Sequence, residues 1–269
     1  MPYIDLYAKC DLLRDRSLYT KKFYGERIFT DYYHQSRGII DNVSPSFRQP
    51  IKPEELPKLA LSWNLGLGDY RTFDKWGLRA RMFLPWASYD IKPVSPCAER
   101  DIDIFLRGRT RYKHATVSFQ REETIRQLES FVQNNSYRAL YGGVVRYNQY
   151  KKERSRSRIM VSPFGIGEVC YRDFECFMAG ALLFKPDMSH LETWPNYYVP
   201  EITYIPFAWD FSDFQVKLRE VLDSPEKCKK IAQKGQDIYL NSLSPTGGEA
   251  FAQHFAELLQ KAVENSRNN

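Results

Sequence analysis

Between residues 162 and 175 the chain reads SPFGIGEVCYRDFE. Two glycines, two glutamates and an arginine stand here at spacings that suit one kind of chemistry, the holding of a phosphorylated ribose. Gly165 and Gly167 let the backbone approach a ligand closely. A helix beginning just after them would aim its free N–H groups at an anion. Reading that helix over 168–180 puts Cys170, Phe174, Phe177 and Met178 on one side as a core-facing stripe. Glu168, Arg172 and Glu175 fall on another side. Arg172 would meet phosphate there, and Glu175 would accept hydrogen bonds from hydroxyls. The competing reading of the same face is an Arg172 salt bridge to Glu168 or Glu175 in contact with water.

The elements that must position these residues are strands alternating with helices from residue 101 onward. DIDIFLRG reads as a strand and EETIRQLESFVQNN as a helix with apolar spacing at Ile125, Leu128 and Val132. YRALYGGVV is a strand running into glycines, NQYKKERSRS a short polar helix, and RIMVSPFG a buried strand. After the glutamate-bearing helix come the strands ALLFKPD and EITYIPFA, and then three helices, the last of them amphipathic. This alternation argues for a parallel sheet covered by helices, which binds ligands at the carboxyl ends of its strands. Attention therefore goes to the loops RGRTR, YGG, SPFGIG, KPDMS and PFAWD. Residues 1–95 read as irregular, with two strand-like pieces, YIDLYAK and KLALSWNLGL, separated by a polar loop containing prolines.

Composition sets the class. Hydrophobic residues at 43% and charged residues at 27% of 269 residues are ordinary for a globular chain with a sizeable core. A net charge of +6 favours anionic partners. The five cysteines (Cys10, Cys97, Cys170, Cys176 and Cys228) include no CxxC pair and no neighbouring histidine pair, which argues against a zinc site or a disulfide framework. The N-terminus lacks the apolar core of a signal peptide, and no run approaches membrane-spanning length. The expectation is a soluble, cytoplasmic protein.

The stretch SRIMVSPFGIGEVCYRDFECFMAGALLFKPDMSHLETWP resembles the nucleotide-binding half of GT-B glycosyltransferases, especially exostosin-like and CgeB-like members. The features that carry the resemblance are Gly165 and Gly167, the paired Glu168 and Glu175, and the Ala179–Gly180 turn into ALLFKPD. It extends over roughly residues 101–240. It implies an α/β, GT-B-like fold with three parts. Residues 96–245 would be a Rossmann-like nucleotide-sugar domain, 1–95 an abbreviated N-terminal domain on the acceptor side, and 246–269 a helix crossing back onto that domain. It also implies that Glu175 holds the ribose and that Glu168 lies nearer the sugar. Arg107 and Arg109 stand where such enzymes place a basic residue on the diphosphate, a task suited to the planar guanidinium fork. Tyr141, beside Gly142 and Gly143, would border the nucleobase.

The implied reaction moves a sugar from a nucleoside diphosphate, with uridine diphosphate the favoured donor, to a glycan hydroxyl. Arg107, Arg109, Arg172 and the helix N-terminus would neutralise the leaving group. An inverting enzyme needs a base; the candidates are Asp69, in the glycine-flanked turn that closes LSWNLGLGDY, and Asp31 or His34 in TDYYH. His190 and Trp194 are candidate sugar or acceptor contacts. Asp101 and Asp103 formally make a DxD motif, but they open a strand, at the end away from the loops. No metal or other cofactor is expected. Two other readings stand beside this one: a non-catalytic nucleotide- or glycan-binding module, motivated by the short N-terminal part, and a nucleic-acid-binding protein, motivated by the charge and the aromatic content.

Overall fold

The computed structural model describes residues 3–42, 49–67 and 92–268. Its N-terminal part holds three short strands and one helix: β1 (Tyr7–Lys9), β2 (Asp11–Leu13), α1 (Ile28–Arg37) and β3 (Leu59–Leu61). β1 and β3 pair in parallel, as the two strand-like pieces suggest. Helix α1 and strand β2 were not expected from the irregular texture of this region. Phe29, Thr30 and Tyr33 fall on one buried face of α1, and Gly38 ends it in the left-handed conformation at φ 67°.

The main sheet has five strands, all parallel: β4 (Ile102–Arg107), β5 (Ala139–Gly142), β6 (Ser157–Val161), β7 (Leu182–Pro186) and, after the short β8 (Leu191–Thr193), β9 (Tyr204–Phe207). Their order across the sheet is β5-β4-β6-β7-β9. β7 is buried along its whole length, the signature of a strand covered on both faces. The covering helices are α2 (Ala115–Gln133), α3 (Tyr147–Ser155), α4 (Tyr171–Ala179), α5 (Phe214–Leu222) and α6 (Pro225–Ser242), and α7 (Pro245–Asn268) follows them. This is the Rossmann-like α/β architecture expected from the sequence, and it is consistent with a GT-B-type fold. Among the described residues no helix is long and apolar enough to cross a membrane.

Three local readings are corrected. Helix α2 begins at Ala115, well before the expected EETIRQ, because its first turns are buried through Thr116 and Val117. Helix α4 begins at Tyr171 and not at Glu168, because Asp173 accepts the backbone N–H of Cys170 at 3.1 Å and closes the helix there. The segment KPDMSHLETWP is not wholly loop: its Leu191–Thr193 is β8, paired antiparallel with β2. That ladder fastens the N-terminal segment to the far half of the chain.

Helix α7 runs along the N-terminal strands. His254 Nε2 lies 3.1 Å from the carbonyls of Leu61 and Ser62, Lys261 donates to the Leu59 carbonyl at 3.0 Å, and Asn265 donates to the Asp5 carbonyl at 2.8 Å.

Deep in the main sheet, Lys185 and Asp173 are both fully buried and 3.2 Å apart. Removing one member of such a pair leaves the other as an unpaired charge without water. Lys185→Met should therefore lower the unfolding free energy by about 3–5 kcal/mol, read from urea denaturation; a loss under about 1 kcal/mol would show that the pair does not hold the fold.

Candidate functional site

The chain turns from β4 outward to β5 on one side, and returns to β6 on the other. A crevice opens where the strand order reverses, beyond the carboxyl ends of β4 and β6. A cleft of about 560 Å³ occupies that place. Arg107 and Gly108 reach it from the end of β4, Val144 and Val145 from the end of β5, Val169 and Cys170 from the loop before α4. Tyr147 and Tyr150 of α3, Arg121 of α2, and Tyr171, Arg172 and Glu175 of α4 complete most of its wall, with Leu65 from the N-terminal part.

Two guanidinium groups dominate the cleft. Arg121 is buried; its Nε donates to the Phe164 carbonyl and its Nη1 to the Arg109 carbonyl, each at 2.9 Å. Its guanidinium lies 4.9 Å from the centre of the Tyr112 ring. Arg172 has its Nη1 buried with no hydrogen-bond partner. Among the described residues neither arginine is in an ion pair. Burial, followed by the charge of Arg172, pushes the Arg121 pKa down. Two like charges held together in a partly dry cleft create a strong attraction for an anion. Gly108 makes the geometry possible: its φ is +154°, and a Cβ there would sit 2.9 Å from Arg172 Nη2.

Glu175 faces the same cleft. It accepts the Tyr150 hydroxyl at 2.6 Å and pairs with Arg154 at 2.9 Å. Burial, then the charge of Glu175, pushes the Tyr150 pKa up. The salt bridge between Arg172 and either glutamate is thus not formed; each acid has another basic partner. Arg107 also lines the cleft, with its Nε 2.9 Å from Glu153 and its Nη1 donating to the Tyr141 carbonyl at 2.8 Å. Arg109 is exposed and contributes its carbonyl to Arg121; its side chain is not part of the cleft wall. The Tyr141 side chain packs against the core.

Gly165 and Gly167 lie in the loop between β6 and α4, joined by a 2.9 Å backbone hydrogen bond. Glu168 belongs to this loop, not to the helix, and turns away from Arg172. It is buried, 3.6 Å from Arg27 and 3.9 Å from His190. Burial alone would raise its pKa, but His190 and Arg27 outweigh that and hold the carboxyl below its ordinary value. Asp11 on β2 belongs to the same cluster: burial, then the charge of Glu168, pushes its carboxyl up, while Lys9, Arg27 and His190 oppose the rise. His190 meets Trp209 edge to face at 4.8 Å, and both of its ring nitrogens are buried without a hydrogen-bond partner.

The remaining candidates have their polar atoms committed elsewhere or lie apart. Asp31 accepts the Tyr24 N–H at 2.8 Å and the Gln35 amide at 2.6 Å. His34 stacks on Tyr24 at 3.7 Å, with Nδ1 2.7 Å from the Ile39 carbonyl. Trp194 stacks on His254 of α7 at 4.2 Å. Asp69 lies outside the described residues. Asp101 pairs with Arg138 and Arg156, and Asp103 with Arg158, at the start of β4 and away from the cleft. Among the described residues no cluster of His, Cys, Asp or Glu could hold a metal ion.

Sequence reading missed Arg121, Asp11, Arg27 and Tyr150. Arg121 did leave a signal: it interrupts a face otherwise set by Val117, Thr124 and Leu128, where a charge needs a reason. Asp11 and Arg27 left none, because their partners are distant in sequence.

No family model matches the chain. Over 84 residues it is 33% identical to Protein O-glucosyltransferase 2 of Danio rerio, a match that takes in 31% of this chain and 16% of that protein. The chain thus spans a small part of that relative's length. The similarity is to a glycosyltransferase, in keeping with the Rossmann-like sheet and its cleft.

Two outcomes follow from this geometry. Gly108→Ala should cost about 1–3 kcal/mol of stability by strain at a glycine-type φ, measured by denaturation, and should displace Arg172. Glu168→Gln should be less stable than the wild type at pH 7. The depressed folded pKa means that the contribution of Glu168 is complete above its ordinary 4.5 and is lost as pH falls through the folded value. The gap between the two proteins should therefore narrow in acid; a gap that widens below pH 4.5 would contradict the ion-pair account.

Proposed function

We propose that the chain binds a nucleoside-diphosphate sugar in the cleft beyond β4 and β6 and transfers its sugar to a hydroxyl acceptor. The observation that carries this reading is the Arg121–Arg172 pair: two uncompensated guanidinium groups, one with a buried, unpartnered Nη1, at the switch point of a parallel sheet. A diphosphate has the negative charge that this pair lacks among its described protein neighbours, and an acceptor oxygen for Arg172 Nη1. Glu175, already holding the Tyr150 hydroxyl, is set to accept ribose hydroxyls beside the diphosphate. Val144, Val145 and Tyr147 offer an apolar lip for the base.

In the transfer, the bond between the sugar and the β-phosphate oxygen breaks, and its electron pair leaves with the diphosphate. Arg121 and Arg172 stabilise that charge without a metal. The acceptor oxygen forms the new bond with inversion, and its proton goes to a carboxylate, for which Asp69 is the first candidate. Uridine is the first base to test, following the exostosin-like resemblance, and a glycan is the first acceptor class. A similarity to an O-glucosyltransferase supports transfer onto a hydroxyl in general.

The test is a thermal-shift panel of nucleoside diphosphates and their sugars on the wild type, Arg172→Ala and Glu175→Ala. A ligand at about 100 times its dissociation constant should add about 2.7 kcal/mol of stability. Arg172→Ala should lose that gain while the free protein keeps its stability, since a repulsion is relieved. No shift with any nucleotide would remove the donor reading. Binding without turnover across an acceptor panel would leave a non-catalytic nucleotide-binding module.

A further inference from the structure

Three loops leave the carboxyl ends of neighbouring strands: residues 108–114 after β4, 143–146 after β5 and 162–170 after β6. They are tied to one another. The Gly108 N–H donates to the Gly142 carbonyl at 3.2 Å, and Arg121 holds the Arg109 and Phe164 carbonyls at once. With the first turns of α3 and α4 these loops make the rim of the arginine cleft. The rim also carries side chains that the cleft itself does not use.

The charge of the rim is one-sided. Residues 108–114, 143–152 and 162–171 contain six cations: Arg109, Arg111, Lys113, Arg146, Lys151 and Lys152. All six are exposed. The same stretches hold a single acid, Glu168, which is buried and paired with Arg27. Among the described residues Arg109, Lys113, Arg146 and Lys152 have no ion pair, and Arg111 is 92% exposed although it lies 3.9 Å from Glu122. Lys151 sits over the cleft-lining Tyr147, 5.1 Å from its ring centre. Large apolar side chains stand among these cations in water: Val144, Ile166, Tyr147 and Tyr171. Val144 is 74% exposed and Ile166 61%. A single exposed apolar residue needs no explanation, but several around one cleft and between unneutralised cations mark an interaction surface.

We propose that this rim docks the protein on the surface of an anionic lipid bilayer. Val144, Ile166 and Tyr171 enter the interfacial layer, and the surrounding lysines and arginines meet the headgroups. A polyanion in solution would satisfy the cations and could stack on the tyrosines, but it gives Val144 and Ile166 nothing apolar to enter. A bilayer interface supplies both the charge and the apolar layer. The docking needs no nucleotide and is independent of the donor reading. One consequence does rest on that reading: the mouth of the cleft faces the bilayer, so the acceptor hydroxyl is one carried at the membrane surface.

The test is co-sedimentation of the full chain, without nucleotide, with vesicles of phosphatidylcholine alone and of equimolar phosphatidylcholine and phosphatidylserine. The wild type should bind the anionic vesicles at least ~10-fold more tightly than the neutral ones. Added salt should weaken that binding, because exposed charges are screened. Arg109→Ser combined with Arg146→Ser should lower the partition about 30-fold, roughly fivefold for each cation near the surface. Ile166→Ser should lower it about tenfold through the loss of an inserted aliphatic side chain. The substituted side chains are exposed, so these variants should melt with the wild type. No binding to the anionic vesicles, or equal binding to both compositions, would overturn the inference. Retention on heparin together with an unchanged vesicle partition for Ile166→Ser would assign the rim to a soluble polyanion and overturn it as well. Vesicle binding by a chain that takes up no nucleoside diphosphate would remove the donor reading and support the docking alone.

Discussion

The buried carboxylate of Asp173 is the point on which the site depends. It accepts the Ser162 hydroxyl at 2.5 Å, the Tyr198 hydroxyl at 2.7 Å and the Cys170 N–H at 3.1 Å, and it pairs with the fully buried Lys185. Those partners come from the end of β6, from β7, from the entry to α4 and from the segment after β8. An ionised acid without water is tolerable only when its lone pairs are filled, and here they are. Burial and the Asp173 charge push the Tyr198 pKa well up, so that hydroxyl stays a donor. The network fixes both ends of the loop Gly165–Cys170. That loop in turn separates the arginine cleft from the carboxylate and imidazole group.

Electrostatics divides this small region sharply. On one side of the loop, Arg121 and Arg172 are positive without an ion-pair partner among the described residues. On the other, Asp11 and Glu168 are negative, with Arg27 compensating one of them. The acidic residues that could have neutralised the cleft are used elsewhere: Glu175 is taken by Arg154, and Glu153 by Arg107. An asymmetric arrangement of this kind costs the free protein stability, as the opposite pKa shifts of Asp11 and Arg121 relative to well-solvated groups indicate. Such costs are typical of groups kept for binding.

The N-terminal segment is woven into this site and does not hang beside it. β2 pairs with β8, Arg16 pairs with Glu192 at 2.6 Å, and Tyr33 donates to the Trp209 carbonyl at 2.8 Å. Phe29 packs on Phe164 at 5.1 Å, directly under the β6 loop. Asp11 and Arg27 are delivered by this weave, so the charged group around Glu168 includes residues that a division into consecutive domains would assign elsewhere. Tyr239 of α6 donating to the Gly66 carbonyl at 3.0 Å adds one more such tie.

The sequence by itself determined the alternation of strands and helices, the parallel sheet, the glycine loop after β6 and the nearness of Arg172 and Glu175 to a strand's carboxyl end. These follow from local rules: apolar runs, helical spacing, glycine turns, and the direction a strand imposes on the loop after it. The register of α4 was beyond those rules, because its start is fixed by Asp173 capping a backbone N–H within a network that also includes Lys185 and Tyr198. The tertiary structure alone decided which charge meets which. Spacing offered Arg172 to two glutamates, but Glu175 went to Arg154 and Glu168 to Arg27, leaving Arg172 beside Arg121. Ion pairs form between whatever the packed backbone brings within about 4 Å, and that distance is set by the sheet order and the crossing segments, which no local pattern in the chain encodes.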